Sequence, residues 1–195
     1  MDAFDPSAYG PAFAALLADP PLSPLDSGRP DAARQPFLAA LACDDVFLPR
    51  RVANRDMAGA CRAGLWLLFD FLDESHALSQ ELHNSEGAYW HALMHRREND
   101  FSNSKYWFRR VGVHPVYAPL QAVSRDLAGD APDSSAQFLG TNAAWNPFAF
   151  VDLCEASLAG RSPCEALCRR VQQCEWQFLF DYCYRRAVHQ DCATS

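Results

Sequence analysis

The residues of this chain best suited to chemistry lie between Asp73 and Pro115, a stretch that holds five of the six histidines. Within it His91, His95 and Glu98 follow the spacing H-x-x-x-H-x-x-E. An α-helix turns by about 100° per residue, so these three side chains leave its axis within about 60° of one another. Two imidazoles and a carboxylate aimed the same way suit a divalent zinc, iron or manganese ion, or metal-free general acid/base work. His76 or Asp73 from a preceding helix would complete a four-ligand set between antiparallel helices. The candidate catalytic residues are therefore His76, His91, His95 and Glu98, and the candidate metal ligands are the same four with Asp73. The spacing is neither the zincin H-E-x-x-H nor the full ligand set of a di-iron bundle, so it names a disposition and not a reaction. The plainer reading is a polar helix face in solvent, because Tyr89, Trp90, Leu93 and Met94 form an apolar side pointing away from His91 and Glu98.

Beside the histidines stands a cation block, Arg96, Arg97, Lys105, Arg109 and Arg110. Guanidinium groups grip carboxylates and phosphates with two donors at once, so the block suggests recognition of a small anionic molecule. The competing account is an internal ion-pair network with Glu86, Glu98 and Asp100. Arg97 falls on the apolar side of its helix and needs a partner there. Trp90 and Tyr106 join the cations as candidate substrate contacts, since aromatics interleaved with cations hold nucleotides and aromatic ligands as well as filling cores.

The eight cysteines include no C-x-x-C pair, and five of them, Cys164, Cys168, Cys174, Cys183 and Cys192, fall in the last 32 residues. They read as small buried hydrophobes. A Cys/His nucleophile pair would require Cys61 or a C-terminal cysteine beside His76 or His91. Glycine-rich phosphate loops, G-x-S-x-G elbows and EF-hand loops are not found.

These groups must be carried by helices. From Arg55 to His83 the residues Met57, Cys61, Leu65, Leu68 and Leu72 recur every three or four positions, which predicts one long central helix over 55–83 with His76 at the edge of its buried stripe. A shorter helix over 86–98, with Ser85 as its cap, carries His91 and His95, and a third starting at Ser102 or Asn103 ends at Gly112. Further helices are expected over 7–18, 31–43 and from Val116 to near Gly129. Another follows Asn146-Pro147, and a last one over 162–190 opens on the capping box Ser162-Pro163-Cys164-Glu165. No alternation of strand type competes, so the fold class is all-α, a single-domain bundle of about seven to eight helices. Residues 1–30 form a peripheral N-terminal segment, interrupted by four prolines between Asp19 and Asp31, and 55–115 is the site region.

The totals agree with one folded domain: 195 residues, 49% hydrophobic. A net charge of −7 argues against nucleic acid as a partner, and no apolar run approaches the roughly 20 residues of a membrane span. The acidic start MDAFD lacks a secretory leader, which points to a cytoplasmic protein with reduced thiols.

The block EGAYWHALMHRRENDFSNSKYWFRRVGVHPV resembles a stretch in a family of uncharacterised proteins from bacteria and fungi, and GLWLLFDFLDESHALSQ and EWQFLFDYCY extend the likeness. That resemblance implies no established reaction, cofactor or catalytic residue. The expectation is an enzyme acting on a small anionic substrate, with a His/Glu site able to take a divalent metal. The alternative is a non-catalytic helical ligand-binding or protein-interaction module whose His/Arg/Glu cluster is structural.

Overall fold

The computed structural model describes residues 4–41, 44–129 and 133–188. Among the described residues there are ten α-helices and no strand, so the fold is all-α. They are α1 (Pro11–Leu17), α2 (Gln35–Ala40), α3 (Arg55–Leu68), α4 (Leu72–Gln80), α5 (Ser85–Arg97), α6 (Phe101–Val111), α7 (Tyr117–Ala128), α8 (Gln137–Thr141), α9 (Pro147–Leu158) and α10 (Glu165–Ala187). Short 3-10 turns occupy Pro6–Tyr9, Asp44–Phe47 and Ser134–Ala136.

Side chains just ahead of the helices satisfy amide groups that have no partner within the first turn. Asn54 accepts from the Met57 amide at 3.2 Å, Asn84 from Gly87 at 2.8 Å, and Asp100 from Asn103 at 3.1 Å, which starts α3, α5 and α6. Asn146 accepts from the amides of Phe148 and Ala149 ahead of α9, as its sequence predicts. The cap of α5 is thus Asn84 and not Ser85. α6 ends at Gly112 with φ +66°, a left-handed turn that costs glycine little. The expected box at Ser162 does not form. α10 starts at Glu165 with no side-chain cap, and the Ser162 hydroxyl pairs with that of Ser135 at 2.8 Å.

The helix expected over 55–83 is broken. α3 stops at Leu68, and Phe69, Asp70 and Phe71 make a turn before α4. Asp70 has φ +65°, and the chain stays hydrogen-bonded through the turn, Phe71 donating to the Trp66 carbonyl at 3.0 Å. No glycine or proline marks the break. Its cause is tertiary: Arg97, itself buried, pairs with the Asp70 carboxylate, and a straight helix would carry Asp70 elsewhere. A buried guanidinium requires such a partner, and aspartate tolerates the left-handed region better than most residues.

α5, not the 55–83 segment, is the centre of the bundle. Every residue from Glu86 to Arg97 is buried. α3, α4 and α6 flank it, and α10 brings Glu175 and Trp176 to it. α10, the longest helix, runs through both core clusters. Its first half, with Cys168 and Val171, packs among α7, α8 and α9, and its second half, with Leu179, Phe180 and Tyr184, packs among α1, α3 and α5. The N-terminal segment is not peripheral over its described part. Tyr9 and Phe13 meet Phe180 and Tyr184 edge to face, and Leu25 is buried in the second cluster. Cys43, Cys192 and residues 189–190 of the expected C-terminal helix lie outside the described residues.

Candidate metal centre

Two buried serines set the helices around α5. Ser75 on α4 donates to the Ala63 carbonyl of α3 at 2.9 Å, and Ser104 on α6 donates to the Ala92 carbonyl of α5 at 2.8 Å. With α4 and α6 docked this way, the faces of three helices converge. His76 of α4 meets His91 and His95 of α5 with ring centroids 4.5 and 5.4 Å away, and the two α5 histidines stack at 4.8 Å. One ring nitrogen from each lies within 4.8 Å of the other two. α6 closes the site: Trp107 stacks on His91 at 3.9 Å with planes 16° apart, and Asn103 contacts His95. Arg110 lies over the Trp107 ring at 5.2 Å.

The hydrogen bonds at His95 fix its tautomer. Its Nδ1 is 3.1 Å from a Glu98 carboxylate oxygen, and its Nε2 is 3.1 Å from Asn103 Nδ2. Burial holds the His95 pKa below its ordinary value, although Glu98 pulls the other way, so the ring is neutral near pH 7. A neutral ring gives one N–H: Nδ1 donates to the acceptor-only carboxylate, and the Nε2 lone pair accepts from the Asn103 amide. Glu98 is therefore placed as the carboxylate behind a histidine, the outer position common around bound metals, rather than as a ligand. At His91 the Nδ1 atom is buried without a hydrogen-bond partner.

Burial, then the neighbouring His95 and His76, depress the His91 pKa to about 3. The sign for stability follows. A histidine at 6.5 when unfolded and about 3 when folded binds more protons in the unfolded chain between those values, so its contribution is intact above about 6.5 and is lost as pH falls toward 3. With metal chelated, the melting temperature is expected to drop between pH 7 and pH 5. That window lies above the range where Glu86 and Asp100, both with lowered pKa values, lose their contributions. Thermal melts of His91→Leu should show a shallower slope over the same interval; an unchanged slope would remove His91 as the cause.

The other expected site residues are dispersed. Asp73 is exposed, lines an open cleft with Asp70, Glu74 and Glu98, and is not part of the histidine cluster. Arg96 is buried and donates to Glu175 at 2.7 Å and to Gln172 at 3.4 Å, with Phe150 beneath its guanidinium. Arg97 pairs with Asp70 and donates to the Asp26 carbonyl, and Lys105 pairs with Asp152. The partners are thus Glu175, Asp70 and Asp152, not the neighbouring Glu86, Glu98 and Asp100. Glu86 faces His114 at 3.7 Å. Trp90 is a core residue against Gly64 and Trp176, and Tyr106 is half exposed at the edge of Trp107. Arg109 lies over Phe148. Cys61 is buried, its thiol pKa pushed up by burial and then by Cys183, and Cys164 just ahead of α10 with Cys168, Cys174 and Cys183 within it are packing residues, three of them fully or nearly fully buried.

Sequence reasoning did not single out Asn103 or Trp107 as site residues. Their signal was available: they sit four apart on α6, so both face the same way as Ser104 docks the helix on α5. No helix among the described residues is long and apolar enough to cross a membrane. No protein-family model, curated protein or solved structure matches the chain, so the chemistry of the site rests on its own residues.

Proposed function

We propose that the chain is a metal-dependent enzyme whose centre is the trio His76, His91 and His95. The observation that carries this reading is the convergence of three imidazole nitrogens within 4.8 Å from two helices, at a site where the Nδ1 atom of His91 is buried without a partner among the described residues. Tetrahedral zinc with nitrogen ligands at 2.0–2.1 Å puts those nitrogens ~3.4 Å apart, a modest contraction of the present trio. Neutral imidazoles suit zinc and its transition-metal neighbours, whereas calcium and magnesium prefer oxygen. Three protein ligands leave a position open, and a metal held so supplies an activated water or polarises a carbonyl or phosphoryl oxygen.

Within this reading the chain's own groups have distinct tasks. Glu98 orients His95 through Nδ1, and Trp107 holds the His91 ring and shields it from water. The anion-recognition task contracts to Arg109 and Arg110, the two members of the cation block with no carboxylate partner among the described residues. Arg110 stands on the Trp107 ring that also stacks on His91, whereas Arg109 lies over Phe148. A substrate with one anionic group beside its reacting centre fits that placement.

Zinc titration of untagged protein, with metal analysis of the purified chain, tests the proposal. Wild type is expected to bind one zinc per chain. His91→Ala should weaken binding by more than about 100-fold, and Glu98→Gln by roughly 10–100-fold, as loss of an outer partner does. No bound metal and no thermal shift with zinc, cobalt or manganese would leave the trio as a structural cluster and sink the enzyme reading.

A further inference from the structure

Asn103 occupies the lone pair that a metal would need. The Glu98 carboxylate keeps the His95 proton on Nδ1, leaving Nε2 as the only nitrogen of that ring able to coordinate, and the Asn103 amide donates to that atom at 3.1 Å. We propose that Asn103 is a positioning residue that holds His95 Nε2 in the metal-free centre and is displaced when a metal enters, so that its hydrogen bond sets how tightly the centre binds. This deepens the metal reading above and rests on it.

Two features of α6 support the exchange. The Asp100 carboxylate caps the helix on the amide of Asn103 itself and also attracts the Asn103 carboxamide, so the backbone at this position is held and the side chain has a second acceptor to turn to. Asn103 is half-buried, so the released carboxamide has solvent to satisfy it, whereas the fully buried Ser104 next to it has none. One turn later Trp107 keeps His91 stacked, so the displacement at His95 need not disturb the second α5 ligand. The metal-free trio is thereby ordered with its lone pair blocked by a weak neutral donor. That donor is the contact most easily exchanged, because the opposite nitrogen faces a carboxylate, a stronger partner.

The test uses the untagged full chain and zinc alone as probe. Asn103→Ala should bind zinc about five- to tenfold more tightly than wild type, the size of one neutral hydrogen bond removed from competition. Asn103→Asp should bind more tightly still, because a carboxylate adds an acceptor within reach of the metal. Circular-dichroism melts of the chelated proteins control for folding, and long-range ¹H–¹⁵N spectra of His95 supply a readout that a merely structural role would not move. In chelated wild type the spectrum should show the proton on Nδ1 and an accepting Nε2, with the Nε2 resonance shifting when zinc binds. Equal or weaker zinc binding by Asn103→Ala, or a proton on Nε2, would overturn this inference while leaving the metal centre intact. Absence of zinc binding in wild type and both variants would overturn the metal reading and this inference together.

Discussion

Replacing Glu175 with alanine is expected to destabilise the fold by about 3–5 kcal/mol, because it strands the Arg96 charge in the interior. Arg96 and Glu175 are 1% and 0% exposed at the side chain, with Nη2 and Oε2 2.7 Å apart. Burial alone would push Arg96 toward neutrality; Glu175, with Cys154 and Tyr89 beside it, more than offsets this, and the guanidinium pKa stands above its ordinary value. No second carboxylate pairs with Arg96 among the described residues. The Nε and Nη1 atoms of Arg96 are buried without partners, and the other Glu175 oxygen accepts from the Tyr89 hydroxyl at 2.9 Å. Loss of Glu175 therefore leaves a cation with one weak acceptor, Gln172 at 3.4 Å, and a buried phenol with none. The double variant Arg96→Met, Glu175→Leu should cost clearly less than Glu175→Ala, since it removes the charge with its partner. Urea denaturation of the three proteins decides the matter, and a single-variant cost below about 1 kcal/mol would show that water reaches Arg96.

Trp90 is expected to matter for stability and not for binding. Its ring is fully buried, and Trp90→Ala should cost about 3–5 kcal/mol as a large core truncation. The sharper test concerns Gly64, which seats that ring. A Cβ at Gly64 would stand 2.7 Å from both Cη2 and Cζ2 of Trp90, and the Gly64 carbonyl is pinned by the Trp176 indole N–H at 2.7 Å. Gly64→Ala alone should therefore cost about 1–3 kcal/mol by overpacking. In a Trp90→Phe background the clashing ring atoms are gone and much of that penalty should vanish, a coupling of roughly 0.5–3 kcal/mol in a double-mutant cycle. Additive effects would refute the seating, and a change in zinc affinity in the folded Trp90→Phe protein would return Trp90 to the site.

Much of this architecture was legible because it is local. Helical spacing gave the all-α class, and Asn146 with the following proline and Gly112 gave boundaries, since caps act within one turn. The relation of His91, His95 and Glu98 was legible for the same reason: residues three and four apart share a face wherever the helix lies. What escaped was whatever depends on partners distant in sequence. α5 is buried on every side, so the sequence pattern could not separate a site from a polar face in solvent at His91 and His95, and it named no distant partner for Arg96 or Arg97. Their compensation comes from Glu175, 79 positions beyond Arg96, and from Asp70, 27 before Arg97. The break at Asp70 escaped on the same account. The hydrophobic repeat continues through 69–71, and only the buried Arg97 explains the bend. Asn103 and Trp107 were missed as site residues because their role is set by how α6 docks, through the Ser104 hydrogen bond.

The proline-rich crossing between α1 and α2 is held by main-chain atoms. Arg169 donates to the carbonyls of Leu22 and Ser23, Gln172 to that of Pro24, and Arg97 to that of Asp26. Every residue type offers the same carbonyl, so the identities of Leu22, Ser23, Pro24 and Asp26 are only loosely constrained by these grips, while Arg97, Arg169 and Gln172 cannot be exchanged without releasing the strap. Two identities inside it are constrained: Leu25 is buried at 1% exposure, and a Cβ at Gly28 would meet the Asp70 carboxylate that Arg97 holds. Across a saturation library, tolerance should alternate accordingly: permissive at Leu22, Pro24 and Asp26, strict at Leu25 and Gly28, and strict at three positions that lie 71 to 148 residues away in the chain.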